Sequence, residues 1–276
     1  MSQQMEILCV GNELLIGKTL NTNAQWMARR STTLGIMVKR ITVVGDDVNE
    51  IADAVNEALK RKTGFVVTTG GLGPTFDDKT LEGIAKSLNR KLKVNKKALA
   101  MVKEKYEALV KAGKMENVEL TQYRVKMATF PEGTEPLPNP VGTAPGVIMT
   151  IEEASLIALP GVPSEMEAIF EESVVPLLKK AAGKVAFFET SIYADNIMES
   201  SLAPLIDKTM HDSPYVYIKS HPKGEEEKPH IELHFSTTAK DSRIAKRWLE
   251  KAIIQLSELI EKNGGKIRVQ KIKAKI

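Results

Sequence analysis

Residues 68–80 read Thr-Thr-Gly-Gly-Leu-Gly-Pro-Thr-Phe-Asp-Asp-Lys-Thr, and they decide how this chain is understood. They follow the apolar run Phe65-Val66-Val67 and precede a helical pattern expected from Asp77 to Leu88. Glycine tolerates positive φ and lets backbone amides approach a ligand closely. A helix N-terminus adds unpaired N–H groups and the positive end of a dipole. Thr69, Gly70, Gly71, Leu72, Gly73 and Thr75 are therefore the candidate phosphate-binding residues, with the Thr68 hydroxyl beside them. Asp77 and Asp78 sharpen the reading. Two carboxylates next to a phosphate repel it, and a divalent cation such as Mg²⁺ or Co²⁺ removes the conflict by binding both. The plainer alternative makes Asp77 an N-cap and Asp78 a first-turn acid.

Working outward, short apolar runs alternate with helical patterns. Strands are expected at Glu6 to Val10, Met37 to Val44, Phe65 to Thr69, Val147 to Thr150 and Leu156 to Leu159. Helices are expected at 21–34, 47–61, 96–112, 119–126 and 164–181. Continuous rather than alternating runs such as Ile7-Leu8-Cys9-Val10 suit strands covered on both faces. The fold class is α/β, with a mainly parallel, doubly wound sheet. The pattern changes near 178–184, which divides the chain into domains 1–178 and 184–276. Beyond the boundary the expected order is strand 185–193, helix 196–208, strands 215–219 and 231–236, helix 241–261 and strand 267–272. That β-α-β-β-α-β order indicates a small α+β domain with a split βαβ arrangement.

Gly11-Asn12-Glu13-Leu14-Leu15-Ile16-Gly17-Lys18-Thr19 resembles a nucleotide P-loop but has five residues between the glycines where that loop needs four. Glu13 would also repel phosphate. Asp46-Asp47 follow the second strand and belong on the same sheet edge as the glycine loop, as either site residues or a helix cap. Asn139, Gly142, Thr143, Ala144 and Gly146 form a small-residue loop that could close over a ligand, and Gly161 begins another ahead of Glu165. Open-sheet ligands bind at the carboxyl ends of strands. The metal set is thus Asp78 with Asp77 or Asp46, and Glu13 or Asp47 could orient an attacking water.

In the second domain His230, Glu232 and His234 share one strand face, a solvated face before it is a metal site. The basic C-terminus, Lys266 to Lys275, reads as a lysine-protected edge strand. The 276-residue chain is 42% hydrophobic and 27% charged, a globular composition, with a formal charge of +4. Cys9 lies in an apolar run, so it is a buried hydrophobe and no internal disulfide is possible. No 18-residue apolar stretch and no signal pattern are present, so a cytoplasmic protein without a membrane segment is expected. Nucleic acid is only a minor option as a partner, through an RNA-interacting second domain, since that domain lacks the GxxG clamp of KH modules. A homo-oligomer is expected from the prevalence of symmetric assemblies.

The stretches GNELLIGKTLNTNAQWMA (11–28), TTGGLGPTFDDKT (68–80), NPVGTAPG (139–146) and ALPGVPSEME (158–167) resemble, in order and spacing, the competence/damage-inducible CinA family. The resemblance implies a molybdopterin-binding-type domain followed by a KH-like one, the latter through YIKSHPKG (217–224). It also implies a divalent-metal-dependent pyrophosphatase acting on ADP-ribose-like dinucleotides, whereas relatives in cofactor biosynthesis bind molybdopterin. The ligand is accordingly a nucleotide or a pterin phosphate, and a binding module without hydrolytic turnover is the alternative. Two departures stand out. The family's usual Gly-Asp-Glu is Gly11-Asn12-Glu13 here, and the chain ends where many members continue into a nicotinamide-nucleotide amidase domain.

Overall fold

The computed structural model describes residues 4–224 and 229–268. The chain forms two compact units, Met1–Gly183 and Lys184–Ile276. The first unit contains β1 (Gln4–Val10), α1 (Asn12–Leu15), α2 (Thr22–Thr33), β2 (Met37–Val44), α3 (Val48–Lys60), β3 (Phe65–Thr69) and α4 (Thr80–Ser87). It continues with β4 (Leu92–Val94), α5 (Lys96–Lys111), α6 (Gln122–Lys126), β5 (Thr129–Pro131), β6 (Glu135–Leu137), β7 (Gly146–Ile151), β8 (Ala154–Leu159), α7 (Pro163–Ile169) and α8 (Val175–Ala182). A π-helical turn, Phe170–Val174, joins the last two helices.

Six strands make the main sheet in the order β2-β1-β3-β8-β7-β6. The first four are mutually parallel, and β7 runs antiparallel to both β8 and β6. Alternation along β1 explains the double covering. Met5, Ile7 and Cys9 join one core with Ala24 and Met27 of α2 and with Met166 and Ile169 of α7. Leu8 and Val10 join the other core, with Ile51 and Val55 of α3 and Leu81 and Ile84 of α4. The helix after β1 thus lies on one face and the helix after β3 on the other. A ligand crevice opens where adjacent parallel strands diverge in this way.

Helix starts follow local chemistry. Asn21 Oδ1 accepts from Ala24 N–H ahead of α2, Asp47 caps α3, Asn95 caps α5 and Thr121 caps α6. Glu6 on β1 is the main buried charge, 1% exposed, and Arg61 at the end of α3 grips it with two bonds of 2.7 and 2.8 Å. The carboxylate holds the Arg61 guanidinium above its ordinary pKa.

The second unit contains β9 (Ala186–Asp195), α9 (Glu199–Asp212), β10 (Tyr217–Pro222), β11 (His230–Ala239), α10 (Ser242–Lys262) and β12 (Lys266–Arg268). Its sheet is antiparallel, in the order β10-β11-β9-β12. The split βαβ order expected from the sequence is therefore present. Ile192, Leu233 and Phe235 pack from one sheet face onto Leu202, Leu249 and Leu256 of the helices. The acidic turn 225–228 and the basic residues 269–276 fall outside the described residues; Lys266–Arg268 form an edge strand. No helix among the described residues is long and apolar enough to cross a membrane.

Candidate ligand-binding edge

Four parallel strands deliver their C-terminal loops to one edge: Gly11-Asn12-Glu13 after β1, Gly45-Asp46-Asp47 after β2, Gly70 to Lys79 after β3, and Pro160-Gly161 after β8. Backbone contact sets their spacing. Gly70 has φ +103°, and a Cβ there would lie 2.2 Å from the Val10 carbonyl oxygen. A Cβ on Gly161 would lie 3.3 Å from the Gly70 Cα. Side chains then lock the loops. Asn23 donates to Thr69 Oγ1 (3.0 Å) and to the Gly161 carbonyl (2.8 Å), and Thr69 Oγ1 donates to the Pro160 carbonyl (2.8 Å). The buried Thr80 hydroxyl donates to the Gly70 carbonyl at 2.7 Å.

The glycine loop corrects the expectation in two places. Helix α4 starts at Thr80 with Lys79 as a cap that makes no side-chain bond, not at Asp77. Asp77 and Asp78 instead turn back onto Thr75. Asp78 Oδ2 accepts from Thr75 N–H (2.8 Å) and contacts its hydroxyl (2.6 Å), while Asp77 Oδ1 contacts the same hydroxyl. Second, the Gly70 amide is already occupied: it donates to the Leu159 carbonyl at 3.0 Å, prolonging the β3–β8 ladder. The N–H groups of Gly71, Leu72 and Gly73 have no partner among the described residues. These are the amides available to an anion.

A cavity of about 360 Å³ opens beside them, lined by Gly71 to Gly73 and Asp78 on one side. Leu81, Leu92, Leu120 and Val125 supply apolar wall, and Lys126 lies at its rim, with its ammonium 2.5 Å from the Thr75 carbonyl. The Asp77 carboxyl sits below its ordinary pKa, first through the Thr75 hydroxyl, then through its own backbone amide, with Lys126 and Lys79 adding attraction.

The other acids go elsewhere. Asp46 and Asn12 bond reciprocally: Asn12 N–H to Asp46 Oδ2 at 2.9 Å, and Asp46 N–H to Asn12 Oδ1 at 3.3 Å. Asn12 therefore ties the β1 and β2 loops together. Asp47 accepts from Asn49 and Glu50 N–H as the α3 cap, which lowers its pKa. The Glu13 carboxylate folds back over Gly11, 2.4 Å from where a Cβ would stand. Asp46, Asp77 and Asp78 do not converge, and among the described residues no three His, Cys, Asp or Glu side chains form a metal-binding group. His230, Glu232 and His234 do not either. The donor set that does exist is Asp77, Asp78 and the Thr75 hydroxyl. That hydroxyl has one proton for two carboxylates, which suits a hard cation keeping several of its own waters.

The small-residue loop is self-contained. Asn139 Oδ1 accepts from Val141 (3.0 Å) and Gly142 N–H (2.7 Å), and Asn139 Nδ2 donates to Glu165 Oε2 (2.6 Å). The amides of Val141 and Gly142 are therefore not presented to a ligand, and Thr143 Oγ1 rests 3.9 Å from the Met127 sulfur. Asn23, Thr80 and Lys126 escaped sequence reading. The second Asn of Asn21-Thr22-Asn23 was the available signal, because one helix start needs only one cap.

Comparison with known proteins places this geometry. The family described as "Probable molybdopterin binding domain" matches residues 6–180. A relative from Sulfurisphaera tokodaii is 43% identical over 263 residues, covering 95% of this chain and 97% of its own. One from Aeropyrum pernix is 46% identical over 262 residues, covering 95% of both. The crystal structure of CinA, a protein of unknown function from Thermoplasma acidophilum, aligns with a TM-score of 0.57 and 42% identity, over 66% of this chain and 99% of that one. The matched region holds every loop of the ligand edge, and the chain belongs to the molybdopterin-binding domain family, with CinA as a relative.

Proposed function

We propose that the first unit binds a phosphorylated heterocycle, a pterin phosphate such as molybdopterin or a nucleotide, as a binding module without hydrolytic turnover. One observation carries this reading: the unpaired amides of Gly71, Leu72 and Gly73 border a largely apolar cavity of about 360 Å³. Backbone N–H groups suit a phosphate, and an apolar slot with few polar groups suits a flat ring system. The family membership supports the same ligand class. Asp77, Asp78 and Thr75 would hold a divalent cation, which would neutralise phosphate charge beside the loop. Lys126 places a positive charge at the same rim.

The second reading is a metal-dependent pyrophosphatase acting on ADP-ribose-like substrates. The adjacency of Asp77 and Asp78 favours it. Against it, Asp47, one of the expected water-orienting acids, is held as the α3 cap, and the carboxylate of the other, Glu13, folds over Gly11. The test incubates the protein with a pterin phosphate, ADP-ribose and related pyrophosphate-linked nucleotides, each with Mg²⁺ or Co²⁺. Calorimetry follows binding and chromatography follows products. Saturable binding with unchanged ligand is expected. Metal-dependent product that disappears in Asp78→Asn would transfer the assignment to the pyrophosphatase.

A further inference from the structure

The face of the second sheet opposite α9 and α10 has a chemistry unlike that of the ligand edge. Alternation sends Ile192, Leu233 and Phe235 into the core and puts rings on the other side, on three adjacent strands about 4.8 Å apart. Tyr193 lies on β9, His230 and His234 on β11, and Tyr217 and His221 on β10. Tyr193 and His230 stack with centroids 5.1 Å apart and planes 5° from parallel. Tyr217 is 59% exposed.

Charge on this face is one-sided in what it offers. Each of its three carboxylates already has a cationic or imidazole partner. Glu189 meets His234 at 3.0 Å, and Glu232 meets Lys223 at 3.3 Å. Asp195 meets His230 at 2.6 Å, and its other oxygen lies 2.5 Å from Arg268 Nε without hydrogen-bond geometry. Lys219 on β10 and Lys266 on β12, at opposite edges of the sheet, have no ion-pair partner among the described residues. Among the described residues the exposed aliphatic side chains of this unit, Met198, Ile244 and Ile254, all lie off the strands. Among the described residues the face therefore lacks the apolar centre of a protein–protein interface.

We infer that this sheet face binds single-stranded nucleic acid, with bases stacked on Tyr193, Tyr217 and the imidazoles and phosphates drawn to Lys219 and Lys266. Stacking on aromatic rings is tolerant of sequence, and unpaired lysines at two sheet edges match a backbone running across the strands. This mode does not need a GxxG clamp.

The full chain is titrated with fluorescent 12-nucleotide oligouridylate, the matching oligodeoxythymidylate and a duplex of equal length, at 50 and 200 mM salt. Saturable single-strand binding that weakens with salt is expected, with the duplex bound less well. Preference between the two single strands reads out RNA against DNA. Tyr193→Ala with Tyr217→Ala should weaken binding about tenfold or more. Lys219→Glu with Lys266→Glu, a surface change that leaves the core untouched, should weaken it and flatten the salt dependence. No saturable binding at 50 mM salt, equal affinity for the duplex, or unchanged affinity in the lysine variant would each overturn the proposal.

Discussion

Replacing Gly70 by alanine tests whether the ligand edge is held by backbone contact. The new Cβ would stand 2.2 Å from the Val10 carbonyl oxygen and 3.2 Å from its carbon. Real Cβ atoms stay beyond about 3 Å, so β1 and β3 must separate locally by close to an ångström. Retreat is blocked, because Gly161 packs behind Gly70 and the Gly70 amide and carbonyl are both bonded. Holding alanine at φ +103° costs about 1–3 kcal/mol, and overpacking adds about 1–3 kcal/mol. For a unit of this size each kcal/mol moves Tm by about 2–4 °C, so a fall of roughly 5–20 °C is expected. Scanning calorimetry of the full chain should show it in the first unit's transition and not the second's. Gly17→Ala is the control: φ is +70°, but nothing lies within 4 Å of its Cβ. It should cost only about 1–2 kcal/mol. Equal shifts for the two variants would mean that the close approach to Val10 contributes nothing.

Arg61→Ala strands the Glu6 carboxylate in a site 1% exposed, and should cost about 3 kcal/mol or more in a urea titration; an unchanged midpoint would refute that role. Asp47 is held below its ordinary carboxyl value of 3.8 by the Glu50 and Asn49 amides. A depressed folded pKa means its stabilisation is full above that value and disappears as pH falls through the folded one. Asp47→Asn should therefore lose stability at neutral pH and converge with the parent in acid; parallel pH–stability curves would contradict the capping account. Asp78→Asn should abolish the dependence of pterin-phosphate affinity on Mg²⁺ while the far-ultraviolet circular dichroism is retained, and preserved metal dependence would remove Asp78 from the cation site.

Much of the fold could be read directly. β3 lies over Phe65–Thr69 as expected because a short apolar run, Phe65-Val66-Val67, continued by β-branched threonines suits a buried strand, and Asn21, Asp47 and Asp241 cap the helices that follow them. The three-residue strands β4, β5 and β6 carry no periodic signal; they exist through their partners. The expected single helix from Ser164 is broken by a π turn just ahead of Pro176, which has no N–H to continue the ladder. The glycine loop was legible as a candidate anion site, but not which of its amides remain available. That depends on Leu159, 89 positions away from Gly70 in sequence and bonded to it only once β3 and β8 pair. Asp77-Asp78 looked like a helix start because acids cap helices, and the Thr75 amide and hydroxyl outcompeted that role.

The glycine-on-backbone stacking from Val10 through Gly70 to Gly161 has a consequence for how ligand preference can change. The spacing of the edge is set by backbone contact and locked by Asn23, Thr69 and Thr80, while the cavity wall opposite it comes from Leu120, Gln122 and Val125 around α6. Under the proposed function, recognition of the phosphate and recognition of the ring would sit on separate parts of the chain. Exchanges at 120, 122 and 125 would then retune which heterocycle fits while leaving the proposed anion cradle untouched, so a new specificity would be reachable without refolding the site.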